Sequence, residues 1–334
     1  MPLLNLVNYP PLVTAGGPYS GDEGASIGIS GSATDPENHL ITYAWSYSPS
    51  AGVDPGATCA FGDASAAATT VTCSDDGTFT LTLTATDAFG ASASGNATLT
   101  VANVAPTVVV DSPAAGSLYQ VNAPVSVSAS FSDPGANDTH TCQIDWGNGT
   151  TTTGMITTGT CSGSYAYPAA GIYTIVVTVA DDDGGSNSAS TSVVVFDPNG
   201  GFVTGGGWIN SPAGAYWPNP TVTGKANFGF VAKYKKGDSI PEGNVNFRLN
   251  AAGFGFNSTS YQWLVVPPTG VMAQIKGYGT INGTGTYGFR IWAGDGNPDT
   301  FRIKIWNGDN ENSVIYDNGA NQPLGGGSIV IHKK

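Results

Sequence analysis

Aspartate is the residue type with the greatest capacity for chemistry in this chain, and it is concentrated at a few turns. The segment TVADDDGGS (178–186) ends an alternating apolar run with Asp181, Asp182 and Asp183. Carboxylates grouped at a loop are the oxygen ligands that calcium prefers. Asp-Gly and Asp-Pro are also common turn formers, in which the carboxylate accepts hydrogen bonds from nearby backbone N–H groups. The residues themselves leave both interpretations open.

The distribution of charge makes these carboxylates unusual. Residues 1–200 contain 17 Asp and Glu but no Lys or Arg, and all 11 basic residues lie in 201–334. The acidic stretch cannot balance its charge with ordinary salt bridges. Its carboxylates must therefore be solvated, hydrogen-bonded or held by cations. So acidic a surface also argues against nucleic acid as a partner.

The four cysteines form two local pairs, Cys59 with Cys73 and Cys142 with Cys161. Neither pair has CxxC spacing, and one histidine near Cys142 does not complete a four-ligand zinc site. Two disulfide bonds that close short loops are the better interpretation, and they imply an oxidising, extracellular compartment. No run of about 20 apolar residues is present, so no transmembrane helix is predicted.

The sequence contains no arrangement of side chains typical of catalysis. His39, His140 and His332 are far apart and lack a Ser–His–Asp or HExxH context. GASIG (24–28) fits G-x-S-x-G, but a strand begins there rather than a strand–turn–helix elbow. GGFVTGGGWI (200–209) lacks the Lys-Ser/Thr of a phosphate-binding loop. The chain is therefore predicted not to be an enzyme.

Aromatic residues in the last third are the remaining binding signal. An exposed aromatic ring offers an apolar face on which a sugar ring can stack. Strict alternation places Trp292 and Trp306 on the polar faces of their strands, and Tyr216 and Trp217 lie in the loop GAYWPNP. These four residues are the predicted glycan-binding surface, and packing in the core is the competing interpretation.

Short strands must position all of these residues. The chain alternates with period two between Gly, Pro, Asp and Asn turns, which is the pattern of antiparallel β-sandwiches. Two segments recur. A Ser/Thr-Asp-Pro loop with a Trp-bearing strand occurs at 32–47 and again at 130–150, and GTFTLTLTATDAFGAS (77–92) recurs as GIYTIVVTVADDDGGS (171–186). The recurrence indicates two tandem units of roughly 90–95 residues.

The repeated motifs resemble those of PKD (polycystic kidney disease) domains. SATDPENHLITYAWSY with GTFTLTLTATDAFGAS resembles one such domain. SDPGANDTHTCQIDWGNGT with AGIYTIVVTVADDDGGS resembles a second, closer to the family's Trp-Gly-Asp-Gly and Tyr-x-Val-x-Leu-x-Val-x-Asp-x-x-Gly pattern. The first departs from it, because SYSP follows Trp45 in place of the Trp-Gly turn. The resemblance covers roughly residues 12–196 and implies tandem immunoglobulin-like sandwiches in an extracellular protein.

The resemblance also implies a place for a metal ion. In PKD domains the Asp-Pro loop and the Asp that ends the later strand can lie near one pole, and some members bind calcium there. The matching positions are Asp35 and Asp87 in the first unit, and Asp133 and Asp181 in the second, with Asp183 as a further ligand. Calcium at these poles is therefore an expectation. Alternation places Asp182 on the opposite side, facing water.

The predicted organisation has four segments. They are an extended N-terminal linker (1–11), two PKD-like units (12–102 and 103–197) and a C-terminal β-sandwich with a jelly-roll-like pattern (198–334). The last segment resembles a C-terminal domain of large secreted bacterial proteins. The opening MPLLNLVNYPP lacks the basic and apolar regions of a signal peptide. It is interpreted as a linker behind a start Met, and the chain as a piece of a longer secreted protein.

The sequence thus predicts a non-catalytic extracellular protein with a structural or adhesive role. The PKD-like units would form a stiff acidic arm. The C-terminal unit would bind other copies of the chain, or surface and matrix proteins, with exposed strand edges and the N-terminal segment available for strand addition. The alternative is a carbohydrate-binding accessory region of a secreted hydrolase, and a hydrolase in its own right is the least favoured.

Overall fold

The computed structural model describes residues 8–333, and their regular structure is almost entirely β. Thr, Val and Ile suit a pleated, half-buried surface, and Gly, Pro and Asn end each run. The predicted all-β fold class is confirmed. The predicted linker (1–11) lies partly outside the described residues, because 1–7 are not among them. Within 8–333 no helix has the length and apolar character needed to cross a membrane.

The first unit folds around a core between a four-stranded and a three-stranded sheet. Trp45 and the inward face of the later strands, such as Phe79 and Leu81, fill this core. Its sheets have the orders β2-β9-β8-β5, β3-β7-β6 and β1-β4, and β2 runs parallel to β9. The strands are β1 (Leu12–Thr14), β2 (Tyr19–Asp22), β3 (Ile27–Ser30), β4 (Ser32–Thr34), β5 (Ile41–Ala51), β6 (Cys59–Phe61), β7 (Ala68–Cys73), β8 (Gly77–Asp87) and β9 (Ser92–Ala102).

The second unit repeats this plan with two sheets packed face to face. Their orders are β10-β12-β16-β15 and β11-β18-β17-β13-β14, with β11 parallel to β18. The buried Trp146 and the alternating Ile175, Val177 and Val179 lie between them. The strands are β10 (Thr107–Ser112), β11 (Ser117–Gln120), β12 (Pro124–Ser132), β13 (Thr141–Asp145), β14 (Thr151–Thr153), β15 (Met155–Thr157), β16 (Thr160–Ala166), β17 (Gly171–Ala180) and β18 (Ser186–Phe196).

Both predicted disulfide bonds are present, but they connect the strands differently. Cys59 and Cys73 face each other across the neighbouring strands β6 and β7. Cys142 on β13 and Cys161 on β16 belong to different sheets, so their bond ties the two layers of the second unit together. The first bond therefore joins two neighbouring strands of one sheet, whereas the second joins the two sheets of a sandwich.

The C-terminal unit is one continuous antiparallel sheet of the order β26-β25-β24-β23-β22-β21-β20-β19-β28, with β27 paired to β25. Its strands are β19 (Gly201–Ser211), β20 (Gly224–Lys233), β21 (Glu242–Leu249), β22 (Phe254–Val265), β23 (Met272–Ile281), β24 (Thr284–Gly294), β25 (Thr300–Asn307), β26 (Val314–Asp317), β27 (Gln322–Pro323) and β28 (Gly326–Lys333), with a 3₁₀ turn at Asn250–Ala252.

This sheet rolls around its own core. Phe228 on β20 and Phe301 on β25 are far apart in the strand order, yet their rings stack at 3.8 Å between centroids. The loop after β24 reaches the edge strand β28, where Asp299 accepts a hydrogen bond from the Ile329 N–H at 2.8 Å. The layers that the sequence pattern predicts thus belong to a single sheet, and the loop between β24 and β25 bonds to its β28 edge.

Candidate metal centre

Asp87, the last residue of β8, and Asp181, the residue after β17, act as caps of the turns that come next. Asp181 Oδ1 accepts hydrogen bonds from the backbone N–H groups of Asp183 (3.1 Å) and Gly185 (2.7 Å). It also accepts one from Asn103 Nδ2 (3.2 Å), which lies between β9 and β10. The turn-former interpretation therefore holds for this oxygen. The other oxygen, Asp181 Oδ2, is buried without a hydrogen-bond partner among the described residues.

The first predicted pole brings Asp35 and Asp87 together around a histidine. His39 Nδ1 lies 3.3 Å from Asp35 Oδ1 and 4.0 Å from Asp87 Oδ2. Asp35 Oδ1 also accepts hydrogen bonds from the backbone of Glu37 and His39, each at 2.9 Å. The ring of Phe89 packs on His39 with 4.5 Å between centroids. An imidazole between the carboxylates suits calcium poorly, since calcium takes oxygen ligands.

Asp87 is also bonded through both of its oxygens. Oδ1 accepts hydrogen bonds from the N–H groups of Phe89 (2.8 Å) and Ala91 (3.0 Å), and Oδ2 accepts one from Asn8 Nδ2 (2.8 Å). Burial opposes ionisation, but these hydrogen bonds outweigh it and hold the pKa of Asp87 below its usual range. The carboxylate is thus stable as an anion without a metal ion.

The second predicted pole is different, because it faces the first unit. Asp133 accepts a hydrogen bond from the Gly135 N–H (3.0 Å) and lies 2.9 Å from His140 Nε2. Its carboxylate also forms a group with Glu23 and Asp138. A second group joins Asp183, Asp138 and Asp75. In each group the oxygens lie within 4.8 Å of one another, and Asp138 belongs to both groups.

These two groups are made by loops from both units. We call Glu23, Asp75, Asp133, Asp138 and Asp183 the junction carboxylates. Glu23 follows β2, and Asp75 lies between β7 and β8 in the first unit. Asp133 and Asp138 lie between β12 and β13, and Asp183 follows β17 in the second unit. Two predicted ligands, Asp133 and Asp183, therefore lie at a boundary between units rather than within one.

Backbone contacts hold the two units close at this boundary. Asn137 N donates to the Ser74 carbonyl at 3.0 Å. Val104 N, between β9 and β10, donates to Glu23 Oε1 at 2.7 Å. Gly24 has a φ of 66°, and a Cβ there would lie 2.7 Å from the Pro134 carbonyl oxygen. A larger residue at position 24 would push the units apart, so the approach depends on glycine.

Two of the junction carboxylates are buried, and three of the five have oxygens that lack a hydrogen-bond partner among the described residues. Glu23 is 1% exposed and Asp75 is 0% exposed. Within residues 8–333, Glu23 Oε2, Asp75 Oδ1 and both oxygens of Asp138 are buried and accept no hydrogen bond. Burying an ionised carboxylate without a partner is costly, so such a group binds a proton or a cation. Residues 1–200 contain no Lys or Arg to serve as that cation, and the histidine at this boundary, His140, contacts Asp133.

The pKa values of these carboxylates reflect the energetic cost of their burial. Burial, reinforced by repulsion from Asp133, raises the pKa of Glu23 to about 7. Burial and repulsion from Glu23 raise the pKa of Asp138 to about 7. Asp183 is raised to a pKa of about 6 by burial and by the charges of Asp76 and Asp75. Each group favours its protonated form more than a solvated carboxylate does, which is the behaviour of a site that lacks a compensating charge.

The size and chemistry of the two groups fit a hard divalent cation. Calcium–oxygen distances of about 2.3–2.6 Å place ligand oxygens on opposite sides of the ion roughly 4.6–5.2 Å apart. Oxygens within 4.8 Å of one another match that sphere. The junction carboxylates contribute only oxygen, which suits calcium or magnesium and not the nitrogen and sulfur preference of zinc.

Three of the five junction carboxylates, Glu23, Asp75 and Asp138, are absent from the ligand set that the sequence predicts. Asp138 sits in a stretch between the Asp-Pro pair and the histidine that is three residues longer in the second unit than in the first. The turn before β8 reads Asp-Asp-Gly (75–77), whereas the matching turn before β17 reads Ala-Ala-Gly (169–171). Comparison of the two units at these turns carries the signal that would have revealed the site.

At the opposite end of the second unit, apolar residues occupy the positions that carry carboxylates in the first unit. Val121 follows β11 as Glu23 follows β2, and the next residues, Gly24 and Asn122, both have positive φ (66° and 65°). Val121 packs on a buried cluster in which Ala170 of the second unit meets Trp263 of the C-terminal unit. The chain thus builds one joint from carboxylates and the next from apolar side chains.

The predicted glycan-binding aromatics do not form an open platform. Trp306 is 1% exposed, which corrects the prediction that its strand face is open to solvent. Gly288 opposes it on β24, so the ring lies against the sheet, and Lys276 Nζ covers it 5.7 Å from the ring centroid. Alternation gave the correct face, but the lack of a side chain at Gly288 allowed the ring to be buried there.

The other three aromatics have separate environments. Trp292 lies between the guanidinium groups of Arg290 (4.7 Å) and Arg302 (4.5 Å), so both cations occupy space beside its ring. Tyr216 is half-buried against the core, with its ring 5.3 Å from that of Phe254. Trp217 is 56% exposed and is the one member of the predicted set with an open ring.

Comparison with known proteins agrees with the repeat seen in the sequence. Residues 103–196 match a family model described as PKD domain, and residues 22–101 match a second family model that is likewise described as a PKD domain. The chain matches no curated protein.

Three solved structures illustrate the likeness to multidomain β proteins. The fibronectin(III)-like modules of Clostridium thermocellum CbhA share 16% identity (TM-score 0.25), covering 56% of this chain and 95% of that chain. Titin domains Z1Z2 in complex with telethonin share 14% (TM-score 0.27; 57% and 99%). Protocadherin gamma B2 cadherin domains 3–6 share 14% (TM-score 0.28; 88% and 71%). TM-scores this low carry no argument about function.

The family matches and the structure describe the same two sandwiches. Each matched range contains the Asp-Pro loop and the strand that ends in a capping aspartate. Tandem PKD domains with disulfide bonds are consistent with an extracellular adhesion or structural module, and PKD domains are typically non-catalytic. Residues 22–101 and 103–196 of this chain are two PKD domains in tandem.

Proposed function

We propose that this chain is a non-catalytic extracellular arm whose C-terminal unit binds other copies of the chain or proteins of a surface or matrix. The observation that carries the proposal is that each unit contacts the next through its pole. Asn137 bonds to Ser74 at the first joint, and Trp263 packs against Ala170 at the second. Units joined in this way suit a spacer that holds a binding module at a distance.

The edges of the sheets limit how copies can join. An unpaired strand edge is a template for strand addition. At β28 the N–H groups of Ile329 and Ile331 instead donate to Asp299 and Asp295, at 2.8 and 2.7 Å. This edge is therefore closed, and strand addition would use an edge of the PKD units, such as β5 or β10.

Self-assembly is tested by sedimentation velocity and electron microscopy of the whole chain over a range of concentrations. We expect oligomers or fibres that grow with concentration and are lost when residues 1–11 are deleted. Deletion of residues 1–7 is the matched variant, because it keeps the hydrogen bond from Asn8 to Asp87. Loss of assembly in both variants supports strand addition by the N-terminal segment.

Two results would count against this function. A chain that stays monomeric at every concentration and binds no surface or matrix protein would contradict it. Retention on insoluble polysaccharide that is lost in Trp217→Ala would favour the carbohydrate-binding alternative, because Trp217 has the exposed ring.

A further inference from the structure

We propose that the junction carboxylates form a calcium site shared by the two PKD domains, so that the ion joins one domain to the next. This inference goes beyond the proposed function, since it concerns the joint and not what the arm binds. Neither domain supplies the ligands alone. Glu23 and Asp75 come from the first domain, and Asp133, Asp138 and Asp183 come from the second.

The buried, unpartnered oxygens point to a ligand in this space. Glu23 and Asp75 are each nearly inaccessible, and each has one oxygen without a hydrogen-bond partner among the described residues. Each also has a carboxylate oxygen within 4.8 Å of the other members of its group. Glu23 is held there by Val104 N on its other oxygen, and Asp75 by Asp54 N at 2.7 Å. One oxygen of each side chain is therefore anchored by the backbone while the other remains available to bind a cation.

Asp138 is the central ligand. It belongs to both carboxylate groups, and both of its oxygens are buried and unpartnered among the described residues. Each oxygen can serve one ion, so the joint has room for one or two calcium ions with Asp138 between them. A Cβ at the neighbouring Gly135 would lie 2.4 Å from Asp138 Oδ2 and 2.5 Å from Oδ1, so the glycine keeps this space open.

Calcium is favoured over the other divalent ions by the ligands. The two groups consist of five carboxylates, and the nearby imidazole, His140, contacts only Asp133 among them. Calcium accepts six to eight oxygens in flexible geometry, whereas magnesium requires a near-ideal octahedron and retains several waters. A joint made by loops from two domains suits the flexible coordination geometry of calcium.

Calorimetric titration of the whole chain, first freed of metal with a chelator, tests the site. We expect one or two calcium ions to bind per chain, with magnesium at least about tenfold weaker. At a calcium concentration about 100 times Kd, the melting temperature of the PKD domains should rise by roughly 5–10 °C. Absence of both heat and thermal shift would overturn the proposal.

Variants on each side of the joint test whether the ion is shared. Asp138→Asn in the second domain and Glu23→Gln in the first should each weaken calcium binding about tenfold or more. Asp111→Asn is the matched control, because it removes an exposed carboxylate of the second domain whose side-chain hydrogen bond among the described residues is to Ser130. A normal affinity in Glu23→Gln with a weakened one in Asp138→Asn would place the site in one domain and overturn the shared site.

The sign of the stability change separates a ligand from a structural residue. Asp138→Asn removes a buried charge, so the metal-free variant should melt higher than the metal-free parent chain. The same variant should gain less from added calcium. A residue needed only for folding would lower the melting temperature in both conditions, and that result would also overturn the proposal.

Discussion

At the scale of single residues, the aspartates of this chain occupy two kinds of environment. Asp87 uses both oxygens on nearby donors and caps a turn. Asp138 uses neither on a donor among the described residues, although both of its oxygens are buried. The sequence motif is similar in the two cases, an acidic residue in a Gly- or Pro-rich loop. The difference arises from the neighbouring domain, which covers Asp138 and brings further carboxylates to it.

The pH dependence of the metal-free chain follows from this difference. Glu23 and Asp138 have a pKa of about 7 in the folded chain, well above the usual 4.5 and 3.8. The folded state therefore takes up protons between about pH 8 and pH 5, where the unfolded chain does not, and the unfolding free energy rises as pH falls. In chelator, the melting temperature should be higher by about 5 °C or more at pH 5 than at pH 8.

Calcium should oppose this trend. Protons compete with the ion for the same oxygens. The rise in melting temperature that calcium produces should therefore become smaller as the pH falls from about 8 to about 5. The charges that face Glu23 and Asp138 are those of Asp75, Asp76, Asp133 and Asp183, and the titratable His140 contacts Asp133. If the melting temperature in chelator instead falls steadily as the pH is lowered from 8 to 5, these carboxylates are not destabilised by burial.

At the scale of elements, the sequence predicts more of the strands than of the site. Period-two alternation and the repeated turns identify β8 and β17 and the aspartates that end them. The two disulfide bonds follow from the local cysteine pairs. Glu23 and Asp138 are 115 positions apart in the chain and meet only because two domains dock. No local pattern encodes that contact, so alternation within one domain could not predict it.

The Cys59–Cys73 bond links the fold to the site. It fixes the end of β7, and the loop that follows carries Ser74, which accepts the bond from Asn137, and the ligand Asp75. Replacement of both cysteines by serine opens a loop with a sequence separation of 14 and should cost about 3 kcal/mol of unfolding free energy. It should also weaken calcium binding, because the loop loses its anchor.

Denaturant unfolding and calcium titration measure the two effects. Replacement of Cys142 and Cys161 by serine is the matched control, since that bond has a similar separation of 19 but ties the two sheets of the second domain. The control should lose similar stability with a smaller change in calcium affinity. Equal losses of affinity in the two variants would contradict a specific role for the first bond.

At the scale of the whole molecule, the chain uses one architecture for two joints of opposite chemistry. The positions that carry Glu23 and Asp76 at the first joint carry Val121 and Ala170 at the second. The apolar joint needs no ion, because Trp263 fills it. At the acidic joint, the junction carboxylates repel one another until a cation is bound. We therefore expect the arm to have one permanent joint and one joint that calcium makes rigid.

The most direct test of a shared calcium ion is the distance between the two PKD domains, measured by pulsed electron paramagnetic resonance. The described residues contain no free cysteine, so spin labels can be placed at the exposed positions Thr98 on β9 and Ser190 on β18 through introduced cysteines. We predict a broad distance distribution in chelator that narrows to a single peak in calcium, and no narrowing in Asp138→Asn. Identical distributions with and without calcium would contradict a joint that the ion makes rigid.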